Sequence, residues 1–199
     1  MNKRFGLLLM FFGALPMTAS MVLYLHNVRE DREAGERAQQ VVEQMKPSPT
    51  PVSMVEATPT PKPPKKTMPV VEIDGNGYIG YVAIPTLEIE LPVMSDWSYE
   101  KLRVAPCRHA GATFSEDLVI AAHNYDQHFG NLKKLFHDSE IRFTDMAGNV
   151  FTYQVVELET LAPTAIAEMT SFAEGLTLFT CTVGGKSRIA LRAVLVESE

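Results

Sequence analysis

The run Leu176-Thr177-Leu178-Phe179-Thr180-Cys181 is followed by Thr182 to Ser187, with Gly184-Gly185 inside, and then by Arg188-Ile189-Ala190-Leu191-Arg192-Ala193-Val194-Leu195-Val196. Two apolar runs around a glycine turn read as a β-hairpin. Side chains alternate along a strand, so Leu176, Leu178 and Thr180 share one face and Thr177, Phe179 and Cys181 share the other. If the six-residue connection closes evenly, Cys181 and Arg188 are cross-strand partners on one face. Directly opposed Cβ atoms lie about 5 Å apart. A permanent cation then stands beside a thiol and favours its nucleophilic, deprotonated form.

Working outward, the pattern stays strand-rich. Tyr78–Ile84 and Leu87–Val93 read as strands broken by Pro85-Thr86. Leu118–Ala122 is a short apolar run suited to a buried strand. Glu140–Thr144 and Val150–Leu161 flank the turn Met146-Ala147-Gly148-Asn149 as a second hairpin. Phe129–Phe136 carries helical spacing, and Thr164–Phe172 reads as a short helix or ordered loop. Short strands with one or two short helices point to a mainly β domain, closed or nearly closed as a barrel. Its entry is the turn-rich Asp74-Gly75-Asn76-Gly77, which makes residues 74–199 one ordinary domain.

The chain ahead of that domain is organised differently. Residues 1–4 form a short tail. Phe5 to Leu25 is 21 residues without a charge. As a helix it would reach about 31 Å, near the hydrocarbon thickness of a bilayer. It is too long for a signal-peptide core and is expected to be an uncleaved single-pass anchor. Residues 26–45 are charged and helix-friendly, and read as a solvated juxtamembrane stalk. The spacer, residues 46–73, is rich in proline: eight of the chain's 13 prolines fall within 46–69. Such a segment cannot bury enough apolar surface to fold. Net charge is −6, with a pI near 5.4, which gives no electrostatic case for nucleic acid. The two cysteines, Cys107 and Cys181, match no zinc pattern.

A cysteine nucleophile needs an acid for its leaving group, and histidine suits neutral pH. His123 stands where the apolar run Leu118–Ala122 opens into Asn124-Tyr125-Asp126, a fitting place for a site. His26 lies at the membrane boundary. His109 lies in a loop with Arg108 and Gly111, and His128 and His137 read as capping or surface residues. Taken singly, Cys181 also reads as a small buried hydrophobe and Arg188 as a solvated edge residue.

Thr177-Leu178-Phe179-Thr180-Cys181 matches the TLxTC signature of sortases. Arg188 opens the next strand as in that family, and His123 precedes the cysteine by 58 residues in the family order. Ala121-Ala122-His123-Asn124 resembles the sortase histidine segment, with Ala122 where many members have glycine. The resemblance spans roughly residues 75–199. It implies an eight-stranded β-barrel and a cysteine transpeptidase outside a Gram-positive-type cell. Cys181, His123 and Arg188 would be catalytic, and Thr180 would line the substrate groove. Partners would be secreted proteins bearing a C-terminal LPxTG-like sorting signal, with an amine of a wall precursor or pilin as acceptor. The scheme needs Cys181 reduced, whereas a Cys107–Cys181 bridge would turn it into a staple. Some sortases respond to calcium. Glu157, Glu159, Glu168 and Glu174 surround the corresponding region, but scattered acids are poor calcium ligands, so no metal is expected to be required. Parts of the segment Ser95–Gly111 and the His123 loop resemble class B-like members. The lack of a second hydrophobic span weighs against the pilin-polymerising type. Two other readings stay open: an extracellular cysteine peptidase that only hydrolyses, and a membrane-tethered β-domain without enzyme activity.

Overall fold

The computed structural model describes residues 3–46 and 67–198, with side chains in the first segment from residue 12 onward. These residues divide into two compact units, 1–33 and 34–199. The first unit is helical, within α1 (Lys3–Met45). Among the described residues no helix is long and apolar enough to cross a membrane. The side chains of residues 5–11, part of the expected anchor, lie outside them, as does most of the proline-rich spacer, residues 47–66.

The second unit is mainly β. Its strands are β1 (Val71–Ile73), β2 (Asn76–Ile84), β3 (Ile89–Met94), β4 (Cys107–Ala110), β5 (Asp117–Ala121), β6 (Glu140–Asp145), β7 (Val150–Leu161), β8 (Gly175–Cys181) and β9 (Arg188–Ser198). They neighbour one another in the order β1-β2-β3-β4-β5-β8-β9-β7-β6, and β6 also pairs with β2. That last pairing closes eight strands into the expected barrel and leaves β1 as an added edge. The closure is tight at Gly80, where φ is +150° and a Cβ would lie 2.1 Å from the Thr144 carbonyl oxygen. Only glycine fits there. Two short helices, α2 (Tyr99–Leu102) and α3 (Ile166–Thr170), decorate the connections.

Alternation sorts the side chains as β-geometry requires. Leu118, Ile120, Leu176, Leu178 and Leu191 enter the main apolar cluster. Val119, Ala121, Phe179 and Ala190 point the other way, into a second cluster covered by Met169 of α3. This second face carries the candidate site.

Two expectations need correction. Phe129–Phe136 holds only a 3-10 turn, Leu132–Lys134, because Phe129, Leu132 and Leu135 are all drawn into the core from a compact loop. The charged segment ahead of the spacer is not wholly solvated either. From residue 34 it belongs to the barrel's own compact unit, and Ala34, Ala38 and Val42 are buried. These residues fall on one helical face that composition alone hides, since its first two members are alanines.

Candidate active site

The β8–β9 hairpin closes evenly, with Cys181 opposite Arg188. On its other side β8 runs parallel to β5, from Asp117↔Gly175 through Ala121↔Phe179, a constant offset of 58. The Ala122 amide keeps that register by donating to the Phe179 carbonyl at 3.1 Å. The pairing ends at Ala121↔Phe179, and His123 follows two residues beyond the end of β5, as Cys181 follows Phe179 on β8. Cys181 and Arg188 are thus direct cross-strand partners, with His123 in the loop that leaves the strand on the other side of β8. Val119 and Ala121, which precede His123, face the second cluster. His123, Cys181 and Arg188 are half-buried, and Cys181 is a free thiol. Arg188 is fixed at the turn, its Nη1 donating to the carbonyls of Gly185 and Ser187 at 3.2 and 3.1 Å.

Thr180 is placed otherwise than the groove assignment required. It is 1% exposed and shares the inner face with Leu176 and Leu178. Its hydroxyl donates to the Ala122 carbonyl at 2.9 Å. Alternation makes this unavoidable: with Cys181 outward, its neighbour points inward. Thr180 therefore ties the nucleophile's strand to the residue before His123. Thr180→Val should leave that buried carbonyl unpaired and cost about 1–3 kcal/mol in urea unfolding. Thr180→Ser should keep the bond, and equal stability of Val and Ser variants would remove this role.

The sortase domain family model matches residues 82–196. This chain belongs to the sortase family. Its sortase domain superposes on sortase C1 from Streptococcus agalactiae with a TM-score of 0.56 at 24% identity, covering 63% of this chain and 71% of that one. Sortase A from Corynebacterium diphtheriae gives 0.56 at 21% identity, covering 61% and 62%. Sortase A from Listeria monocytogenes gives 0.56 at 20%, covering 61% and 89%. At these identities the likeness is one of fold. No curated protein sequence matches the chain.

The rim of this sortase site uses residues that the sequence alone did not single out. Beside Phe179, the His109 ring stacks on Trp97 (centroids 5.3 Å apart) and meets Phe179 edge-on at 5.3 Å. His109 lies on β4, at a bulge between Arg108 and Ala110, rather than in a loop. On the other side, Arg192 anchors the connection between β7 and β8. It is 4% exposed and donates to Glu159 Oε1 at 3.0 and 2.7 Å, to the carbonyls of Met169 and Glu168 at 3.0 and 2.6 Å, and to the Thr177 hydroxyl at 2.8 Å. Phe172 lies under its guanidinium. Glu159, one of the acids considered for calcium, is thus engaged by an internal cation. Among the described residues no cluster of three or more His, Cys, Asp or Glu could hold a metal ion.

Cys107 is a buried hydrophobe in this sortase. It is fully enclosed with Tyr78, Met94 and Ala105, and burial pushes its thiol up to about 12. Cys107 pairs with Ala121 on β4–β5, and both cysteines are free.

His128 was read as a capping or surface residue and is instead completely buried, with neither ring nitrogen in a hydrogen bond of normal geometry. Burial pushes its imidazole down to about 4, and the charges of His123 and Arg37 act in the same direction, against the Ala34 backbone. Its ordinary value is 6.5, so between those pH values the unfolded chain binds the extra proton. Stability from this group is complete above pH 6.5 and is lost as pH falls toward 4, by at most about 1.4 kcal/mol per unit. Melting curves from pH 7 to 4.5 should show the loss, and His128→Phe should flatten it. The same slope in both proteins would count against a neutral, buried His128.

Proposed function

We propose that this chain is a membrane-anchored sortase working outside the cell, which cleaves an LPxTG-like sorting signal and transfers the secreted protein to an amine of the cell wall or a pilin. The observation that carries the reading is the direct pairing of Cys181 with Arg188, with His123 just past the end of the strand that runs beside β8. In the first step the Cys181 thiolate sulfur bonds to the carbonyl carbon of the motif's threonine. The Thr–Gly carbon–nitrogen bond breaks, and the His123 imidazolium gives its proton to the departing amine. The thioester that remains is attacked by an incoming amine, whose proton passes to His123 as the thiolate leaves. Arg188, the cross-strand partner of Cys181, stabilises the oxyanion. No step calls for a metal. The apolar run Phe5–Leu25 supplies the anchor, with the domain outside.

The test uses the full chain in detergent with LPxTG-like and NPxTG-like peptides and an added amine. Mass spectrometry should find a thioester on Cys181 and a peptide joined to the amine. Hydrolysis without any joined product would favour a peptidase. Neither adduct nor cleavage with any peptide would leave a non-enzymatic β-domain.

A further inference from the structure

The loop after β5 turns back on itself. The Phe129 amide donates to the His123 carbonyl at 3.2 Å, and the amides of His128 and Gly130 donate to the Tyr125 carbonyl at 3.0 and 2.9 Å. Its near end carries His123. Its far end, Gln127-His128, meets the second half of α1. A Cβ on Gly35 would lie 2.9–3.0 Å from Gln127 side-chain atoms, so the helix backbone rests on that side chain. Ala38 joins the main apolar cluster with Phe129, while Val41 and Met45 pack against the cluster of Tyr78, Met94 and Cys107. Lys46 closes the contact with an ion pair to Glu90 at 2.6 Å. Between the two ends of the loop the Tyr125 ring lies 5.1 Å from the His123 ring and 5.5 Å from the His128 ring.

We propose that the helical segment from Ala34 to Met45 is a working part of the catalytic unit, holding the His123 loop in place through Gln127 and His128. The proposal rests on the reading of His123 as the proton donor. The sequence separates the segment from the barrel by a proline-rich stretch, yet its buried face has the spacing of a docked helix: residues 34, 38 and 42, with Met45 half-buried beside them. A loop tied at one end to β8 through Thr180 and Ala122, and at the other to a docked helix, has little freedom to swing its imidazole. The groups facing His128 are His123 and Tyr125 from the loop and Arg37 and the Ala34 backbone from the helix. A proton on His128 would set the charges of His123 and Arg37 against it. The helix contact and the histidine loop therefore open together in acid. His128 is a positioning residue, since nothing gives it contact with the reacting atoms.

Hydrogen exchange on the unmodified full chain tests the coupling without any substrate. The amides of residues 38–45 and those of Phe129 and Gly130 should open together, with the same dependence on denaturant and on pH between 7 and 4.5. Helix amides that open separately, while the loop stays protected, would overturn the proposal. Ala38→Glu places a charge at a position 1% exposed. It should speed exchange at Phe129 and Gly130 at least tenfold while β8 and β9 amides hold. It should also shift the pH profile of Cys181 alkylation, and Ala38→Ser should restore the parent's behaviour. An unshifted profile in a folded Ala38→Glu protein would equally overturn it. If that variant does not fold, exchange in the unmodified chain decides alone. Coupled opening in a protein that transfers no peptide would sink the sortase activity while leaving the positioning intact.

Discussion

Cys181→Ala in the full chain should reduce transfer of a sorting peptide to an amine by at least about 10³-fold, because the proposed nucleophile has no substitute. Cys107 is the only other thiol, and it is enclosed and held in its protonated form, up to about 12. The same contrast predicts that the folded protein shows one fast-reacting thiol and the Cys181→Ala variant none. Denaturant should expose the second. His123→Asn should fall nearly as far as Cys181→Ala, and combining the two should cost little more than either alone, since they act as a unit. Transfer that survives in Cys181→Ala, or a fast thiol that persists there, would end the assignment.

Arg192→Met should be the most damaging change away from Cys181, His123 and Arg188. The guanidinium ties three parts of the chain: β7 through Glu159, β8 through Thr177 and the α3 connection through two carbonyls. Removing one partner of a buried ion pair costs about 3–5 kcal/mol. The Glu159 side chain is 30% exposed and can regain water, so the loss should sit at the lower end, about 3 kcal/mol. Arg192→Lys should recover little, because a single ammonium cannot span five bonds in that fan. The α3 connection borders the face that carries Phe179 and Cys181, so the kinetic signature should be a raised KM with a smaller change in kcat. Urea unfolding and transfer kinetics read the two effects separately. A stable variant with an unchanged KM would show that the connection holds its shape without this anchor.

The sequence already contained the central pairing. Six residues between two alternating strands pointed to Cys181 opposite Arg188, and that register is observed. The long hairpin of β6 and β7 was equally legible, because turn residues bracket it. β4 was not. It has four residues, one pairing with β3 and a bulge at its middle, so no periodicity survives in it. Thr180 was misassigned by trusting the resemblance over the alternation, which had already set it beside Leu176 and Leu178. The docked helix escaped notice because alanine and glycine carry little hydropathy, although their spacing is helical. His128 and Arg192 could not be found by pattern, since their roles depend on contacts between segments far apart in the chain.

The parallel register of β5 and β8 carries a consequence for how this molecule tolerates change. The residues between the histidine loop and β8, 131–174, can lengthen or shorten at exposed points without altering that register. One residue added or removed within either strand would shift it by about 3.3 Å and turn the side chains beyond the change to the other face. The length of chain between the two strands is therefore loosely constrained, whereas the lengths of β5 and β8 are not.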